Sequence, residues 1–259
     1  FIVVNLDDTY AERVIAAITD EVRIITYSLQ GKVHSTDSSL IASNICYTLA
    51  GIACDVVWQE QRVKLTAGLL GDFNLQNILA VLAVLLESGR ELSECLLAIK
   101  DIKPVIGRME CFSGGAGKPL VVVDYAHTPD ALNKVLSTLR LHCAAQLNVV
   151  FGCGGDRDKG KRSEMGYIAE KLADRIIVTD DNPRFENGDT IIKQIVGELQ
   201  MDKITVINNR KAAIEHGITL SSEHDIVLVA GKGHEDYQEL EGIKYPFSDR
   251  EIVQELLAA

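Results

Sequence analysis

From residue 108 onward, short apolar runs alternate with longer amphipathic stretches. The apolar runs fall at residues 120–124, 147–151, 175–179, 204–207 and 225–230. The stretches at 129–141, 161–172, 190–199, 210–220 and 249–257 carry apolar residues at helical spacing. This rhythm leaves a chain few choices. Strands joined by helix-length connections pair in parallel, and a parallel sheet needs helices on both faces. The expected fold class is therefore α/β, with a Rossmann-like, mostly parallel sheet in the C-terminal part. Tyr245-Pro246 is expected to close an added edge strand before the last helix.

The first part reads differently. Residues 1–6 and 22–27 read as strands, and 7–18 as a helix opened by Asp7-Asp8. Residues 30–70 suggest an antiparallel meander turning at Gly31, Ser38-Ser39, Gly51 and Gln59-Glu60. Leu75, Ile78, Leu79, Leu82 and Leu86 share one face of a helix over 72–88, closed by Gly89, and 91–100 forms a second helix. Pro104 and Gly107 punctuate the boundary, giving units 1–107 and 108–259.

Composition excludes several classes. The net charge of −11 argues against nucleic acid as the main partner, and 47% hydrophobic residues suffice for a real core. The six cysteines are scattered with no CxxC pair, so they read as reduced core thiols and no metal cluster is expected. No apolar run is long enough to span a membrane and no signal peptide is visible, so a cytoplasmic chain without a membrane partner is expected. The chain opens at Phe1, not Met, and is read as a fragment whose N-terminal part is missing.

The polar motifs each follow a strand of the second part. They are residues 124–129, 152–162, 181–184 and 231–236. Parallel strands would put all of them on one edge, where ligands bind in open α/β sheets. In Asp181-Asn182-Pro183-Arg184, proline stops the strand and fixes a carboxylate, an amide and a guanidinium at its tip. Arg184 offers a planar fork that suits a carboxylate or phosphate; Asp181 can only accept, so it suits an ammonium. Together they suit a zwitterionic amino acid. Taken alone, the motif favours the plainer reading of a capped loop with a surface ion pair, since exposed pairs are common and weak; four polar loops on one edge favour a built site.

Gly155 to Lys161 nearly matches a phosphate loop, but Arg162 stands where the hydroxyl should be; Arg157 breaks the dinucleotide spacing. What remains is a glycine nest ringed by Arg157, Lys159, Lys161 and Arg162, suited to an anion. Thr128-Pro129-Asp130 is a helix start, leaving Asp124 and His127 as candidates. Gly231-Lys232-Gly233 permits close backbone approach, and Glu235 could accept from an ammonium. Cys153 has no histidine partner for nucleophilic catalysis, and no catalytic residue is assigned.

These motifs, with Gly71-Asp72-Phe73-Asn74-Leu75-Gln76-Asn77 and Gly107-Arg108-Met109-Glu110, run in an order that resembles the Mur ligases, specifically the diaminopimelate-adding type. The resemblance covers nearly the whole chain. It implies an ATP-binding central domain, of which 1–107 is the latter part, and a C-terminal amino-acid-binding domain over 108–259. It implies an ATP-dependent peptide synthase working through an acyl phosphate in peptidoglycan synthesis. ATP, Mg²⁺, meso-diaminopimelate and a UDP-N-acetylmuramoyl dipeptide would be its ligands, and a monomer its form. By the same resemblance Arg157, Asp181, Asn182, Pro183, Arg184, Gly231 and Glu235 would bind the amino acid. Asn74, Asn77, Arg108, Asp124 and His127 would lie near ATP. The phosphate loop, the UDP-binding domain and the modified active-site lysine of the family would precede Phe1, so this stretch is not expected to act alone. Two rivals are a non-catalytic amino-acid-binding module and a relative that adds glutamate to folate; a nicotinamide oxidoreductase is disfavoured by the glycine spacing.

Overall fold

The computed structural model describes all residues except Asp20, Ser35, Thr36, Asp37 and Glu198. Residues 35–37 of the expected meander and Glu198 of the expected helix 190–199 thus lie outside the described residues. The chain divides into two compact units, Phe1–Lys103 and Pro104–Ala259.

The first unit holds a sheet of order β1-β2-β3-β4-β5. Its strands are β1 (Ile2–Asn5), β2 (Ile24–Ser28), β3 (Ser39–Thr48), β4 (Gly51–Trp58) and β5 (Gln61–Ala67). β1, β2 and β3 pair in parallel; β3, β4 and β5 pair antiparallel. The expected meander is therefore only partly antiparallel, and Ser38-Ser39 is no turn. Ser39 opens β3, its hydroxyl bonded to that of Thr26 at 2.7 Å. Helix α1 (Ala11–Ala16) starts later than Asp7. The acids are used elsewhere: Asp7 accepts from Ser28 Oγ and Leu29 N, and Asp8 from Tyr10 N. Short acidic side chains that satisfy local turn donors compete with helix initiation. Helix α2 (Asp72–Glu87) and α3 (Leu92–Ile99) cover the sheet. Leu75, Ile78, Leu79 and Leu82 of α2 and Leu92, Cys95, Leu96 and Ile99 of α3 enter one core with Ile25, Leu40, Val56 and Leu65.

The second unit holds a sheet of order β10-β9-β8-β11-β7-β6. Its parallel strands are β7 (Leu120–Asp124), β8 (Leu147–Phe151), β9 (Arg175–Val178), β10 (Ile204–Val206) and β11 (Ile226–Ala230). The edge strand is β6 (Glu110–Ser113), antiparallel to β7, which the apolar pattern did not mark. The stretch at Tyr245-Pro246 joins no edge. Instead β12 (Tyr237–Leu240) and β13 (Ile243–Pro246) form a hairpin sheet of their own.

β7, β8 and β11 are buried on both faces, as parallel strands require. Val121, Val123, Val150, Ile177, Val227 and Val229 face α7 (Arg210–Thr219) and α8 (Asp249–Ala258). On the opposite face α4 (Pro129–His142), α5 (Gly160–Leu172) and α6 (Gly188–Val196) pack side by side. Side-chain oxygens of Thr128, Asn187, Asn209 and Ser248 cap α4, α6, α7 and α8, each accepting from a backbone amide of the first turn. Parallel pairing of β7, β8, β9 and β11 puts the loops after them along one sheet edge.

Candidate functional site

The loops after β9 and β11 are joined through one buried lysine. Lys232 is fully buried, and its Nζ donates to Asn182 Oδ1 at 2.9 Å and to Tyr237 O at 2.7 Å. Asp181 Oδ1 lies 3.4 Å from it and Glu235 Oε2 3.5 Å. Asn182 Oδ1 also accepts from Glu239 N at 2.9 Å, so its carbonyl is fully used and its Nδ2 turns to Glu235 Oε2 at 3.1 Å. Asn182 therefore fixes the loops, with a single N–H left over. Glu235 keeps Oε1 without a hydrogen bond among the described residues. Asp181 Oδ1 is buried and accepts no hydrogen bond. Two carboxylates facing one lysine leave the locality acidic.

Gly231 has φ +121° and Gly233 φ +55°, a region that side-chain-bearing residues avoid. A Cβ on Gly233 would lie 2.6 Å from Gly107 O, so this loop rests directly on the turn before β6.

Arg184 sits at φ +53°, held by backbone bonds to the hairpin: Arg184 N to Glu239 O and Glu241 N to Arg184 O. Its Nε donates to Glu239 Oε2 at 3.2 Å and its Nη1 to Gly155 O at 2.8 Å. Nη2 has no acceptor among the described residues. The ion pair that the bland reading anticipated is thus present, with one nitrogen left over.

The glycine loop departs from expectation. A Cβ on Gly155 would lie 1.9 Å from Pro183 O, and Gly155 N donates to Asn182 O. Close approach to the neighbouring loop is what requires the glycine. The basic ring is already occupied. Arg162 is fully buried and donates to both oxygens of Glu186, to Gln194 and to Gly154 O. Lys159 lies 3.4 Å from Glu186, and Lys161 donates to His127 O. Arg162 and the Asp156 amide hold the Glu186 carboxyl down at about 2. Arg162 is thus a structural residue and not part of an anion nest; Arg157, bonded to Asp156 O, and Lys159 stay exposed.

Asp124 accepts from Met109 N and Ala126 N, each at 2.8 Å. Burial pushes its carboxyl up, against the pull of these amides. It braces the turn that carries Arg108. Arg108 is exposed, 4.7 Å over the Tyr125 ring, and Tyr125 packs against His127 and His234. His127 Nδ1 bonds to Tyr125 O. In the first unit, Asn74 Nδ2 bonds to Leu70 O and Asn77 is exposed on α2. Burial pushes the Cys153 thiol up to about 12, which leaves it inert.

Sequence reasoning passed over Lys232, Glu239, Glu186 and Arg210. Arg210 is fully buried against Asp249 and also donates to Ala230 O. One signal was available: a cation opening a helix opposes the macrodipole, so it needs a partner elsewhere. Lys232, flanked by glycines after an all-apolar strand, was another.

A family model described as Mur ligase middle domain matches residues 1–85, and one described as Mur ligase, glutamate ligase domain, matches residues 107–233. The chain belongs to the Mur ligase family. Among curated Mur ligases, the UDP-N-acetylmuramoyl-L-alanyl-D-glutamate–2,6-diaminopimelate ligase of Pseudomonas aeruginosa is 48% identical over 260 residues, and that of Xylella fastidiosa strain Temecula1 is 44% identical over 258. Each alignment covers 99% of this chain and 52% of the relative, so the chain spans about half the length of the curated relatives it matches. A solved structure of a ligase with that description is 36% identical, with a TM-score of 0.82, covering 98% of this chain and 52% of the other. A folylpolyglutamate synthase from Thermotoga maritima shares the fold alone, at 18% identity and TM-score 0.63, over 86% of this chain and 49% of that one.

Proposed function

We propose that this chain supplies the amino-acid-binding part of an ATP-dependent ligase that joins meso-diaminopimelate to UDP-N-acetylmuramoyl-L-alanyl-D-glutamate. The observation that carries the reading is a pair of unlike atoms left free on one rim. Arg184 Nη2 is a donor without an acceptor, and Glu235 Oε1 an acceptor without a donor. A zwitterion satisfies both. In this reading Arg184 and the exposed Arg157 receive carboxylates, and Glu235, backed by Asp181, receives an ammonium. Asn182 and Pro183 shape the loop, and Gly231 lets the ligand approach the backbone. Lysine lacks the second carboxylate and would leave Arg184 unpaired, a penalty that supports discrimination. The names of the relatives point the same way.

The reaction would begin with phosphoryl transfer from ATP to the terminal carboxylate of the dipeptide substrate. With one end of diaminopimelate held by Arg184, Glu235 and Asp181, the amine at the other end gives up a proton and attacks the acyl carbon, and the amide bond forms as the bond to phosphate breaks and phosphate leaves. Fixing that amine turns the second step into an effectively intramolecular one. For the nucleotide, Arg108 in the second unit offers a guanidinium beside the Tyr125 face, with His127 next to it and Asp124 bracing the turn. In the first unit Asn77, with Asn74 beside it, offers an amide. No group of three His, Cys, Asp or Glu among the described residues is arranged to hold a metal, so Mg²⁺ would arrive with the phosphates. No helix among the described residues is long and apolar enough to cross a membrane, and a monomeric cytoplasmic enzyme fits the reading.

Calorimetric titration of the chain with meso-diaminopimelate and with L-lysine tests it. Saturable binding of the first and a much weaker response to the second are expected. No saturable heat from meso-diaminopimelate overturns the reading.

A further inference from the structure

Arg184 is set by β12 and the first residue of the turn after it, through backbone and side chain together. Its N–H donates to Glu239 O, its carbonyl accepts from Glu241 N, and it bridges in parallel to Leu240. Its Nε donates to Glu239 Oε2 at 3.2 Å, and the two side chains are only 17% and 21% exposed. Glu239 N in turn donates to Asn182 Oδ1, so the same residue also fixes the amide beside Arg184. Nη1 is taken by Gly155 O, which leaves Nη2 as the unpaired end.

Glu239 therefore does two opposing things to any anion that approaches Arg184. It aims the guanidinium, because an Nε held from one side and an Nη1 held from the other leave the plane no freedom to turn. It also places a carboxylate beside the incoming one, in a half-buried setting where like charges repel appreciably.

We propose that Glu239 is a specificity-determining positioning residue, which aims Arg184 and moderates its grip on the carboxylate of the amino-acid ligand. This rests on the reading that Arg184 receives a carboxylate of meso-diaminopimelate. Moderation has a use: a ligand held too tightly before reaction gains nothing in rate, and the product must leave. Only a ligand with a carboxylate at Arg184 feels Glu239. Its charge should act on meso-diaminopimelate and leave lysine untouched.

The decisive comparison is between Glu239→Gln, which keeps the acceptor for Arg184 Nε and removes the charge, and the wild-type chain. Both are titrated calorimetrically with meso-diaminopimelate and with L-lysine at low and high salt. The exposed Glu241→Gln serves as a control for net charge. Glu239→Gln should bind meso-diaminopimelate about threefold tighter or more at low salt, with a smaller gain at high salt, and bind lysine as the wild type does. A brace without electrostatic effect predicts equal or weaker binding of both ligands, and that result overturns the proposal. Equal gains for both ligands, or the same gain in Glu241→Gln, overturn it as well. If the wild type itself fails to bind meso-diaminopimelate, the underlying reading falls and this inference with it.

Discussion

Arg210 donates through Nε and Nη2 to both carboxylate oxygens of Asp249, at 2.8 and 2.7 Å, with both side chains fully buried. Burial disfavours the guanidinium charge, but Asp249 keeps it above its usual value. The pair ties α7 to α8, and its bond to Ala230 O holds the end of β11 just before Gly231. Asp249→Ala would strand a buried cation and should cost about 3–5 kcal/mol in urea unfolding. Arg210→Met combined with Asp249→Leu should recover most of that loss. Equal losses in the single and double variants would show that shape, and not charge, is what the pair supplies.

The Arg162–Glu186 pair gives stability a pH dependence of known sign. Glu186 titrates at about 2 in the fold, below an ordinary glutamate. Its contribution is complete above the ordinary range and drains as pH falls toward about 2, because the unfolded chain takes up the proton first. Glu186→Gln should be less stable than the wild type at pH 7, and the gap between urea midpoints should narrow steadily below about pH 4.5. A gap constant with pH would contradict the pairing.

Asp180 acts in the opposite direction. Burial, then the like charge of Asp189, raises its carboxyl to about 6. The folded state holds this proton longer than the unfolded one, so the group favours folding at low pH and that benefit is lost as pH rises through about 6. Asp180→Asn should match the wild type near pH 4 and exceed it at pH 7.5. The excess should be on the order of 1 kcal/mol, since the group is partly solvated and its shift must be discounted. Lower stability at pH 7.5 would disprove the assignment.

Arg184→Ala should weaken meso-diaminopimelate binding by about 2–4 kcal/mol, and Arg184→Lys should recover little, because a point charge cannot reproduce the fork. Lysine binding should change little. Retention of near-wild-type affinity for diaminopimelate would leave Arg184 as a brace between Gly155 and Glu239.

Limited proteolysis should open the chain between its two units. Val105 and Ile106 are exposed, at 74% and 58%. Thermolysin should cut before one of them ahead of any strand. First cleavage inside β8 would refute the division.

Much of the second unit was legible because parallel strands are apolar throughout and their helices carry caps. β7 and β8 fall on the expected residues, and Thr128-Pro129 opens α4 as read. The four-loop edge follows from that rhythm alone. β6 was not legible, since none of Glu110, Cys111, Phe112 and Ser113 is fully buried, although Phe112 packs against the core. Nor was the fate of the basic loop. Charge along a sequence does not say which cations already have partners, and Arg162 finds Glu186 across a turn of another loop. Asn182 looked like a ligand contact, yet its carbonyl is used by Lys232 and Glu239, because hydrogen-bond saturation appears only in three dimensions.

The hairpin of β12 and β13 shares no ladder with the six-stranded sheet. Its sequence can drift without shifting the register of any core strand. A graft of residues 237–246 from another member of the family would replace the side-chain partner of Arg184 without touching a ladder of the six-stranded sheet. If Arg184 receives the ligand as proposed, its setting can change through a segment that adds no strand to the core sheet.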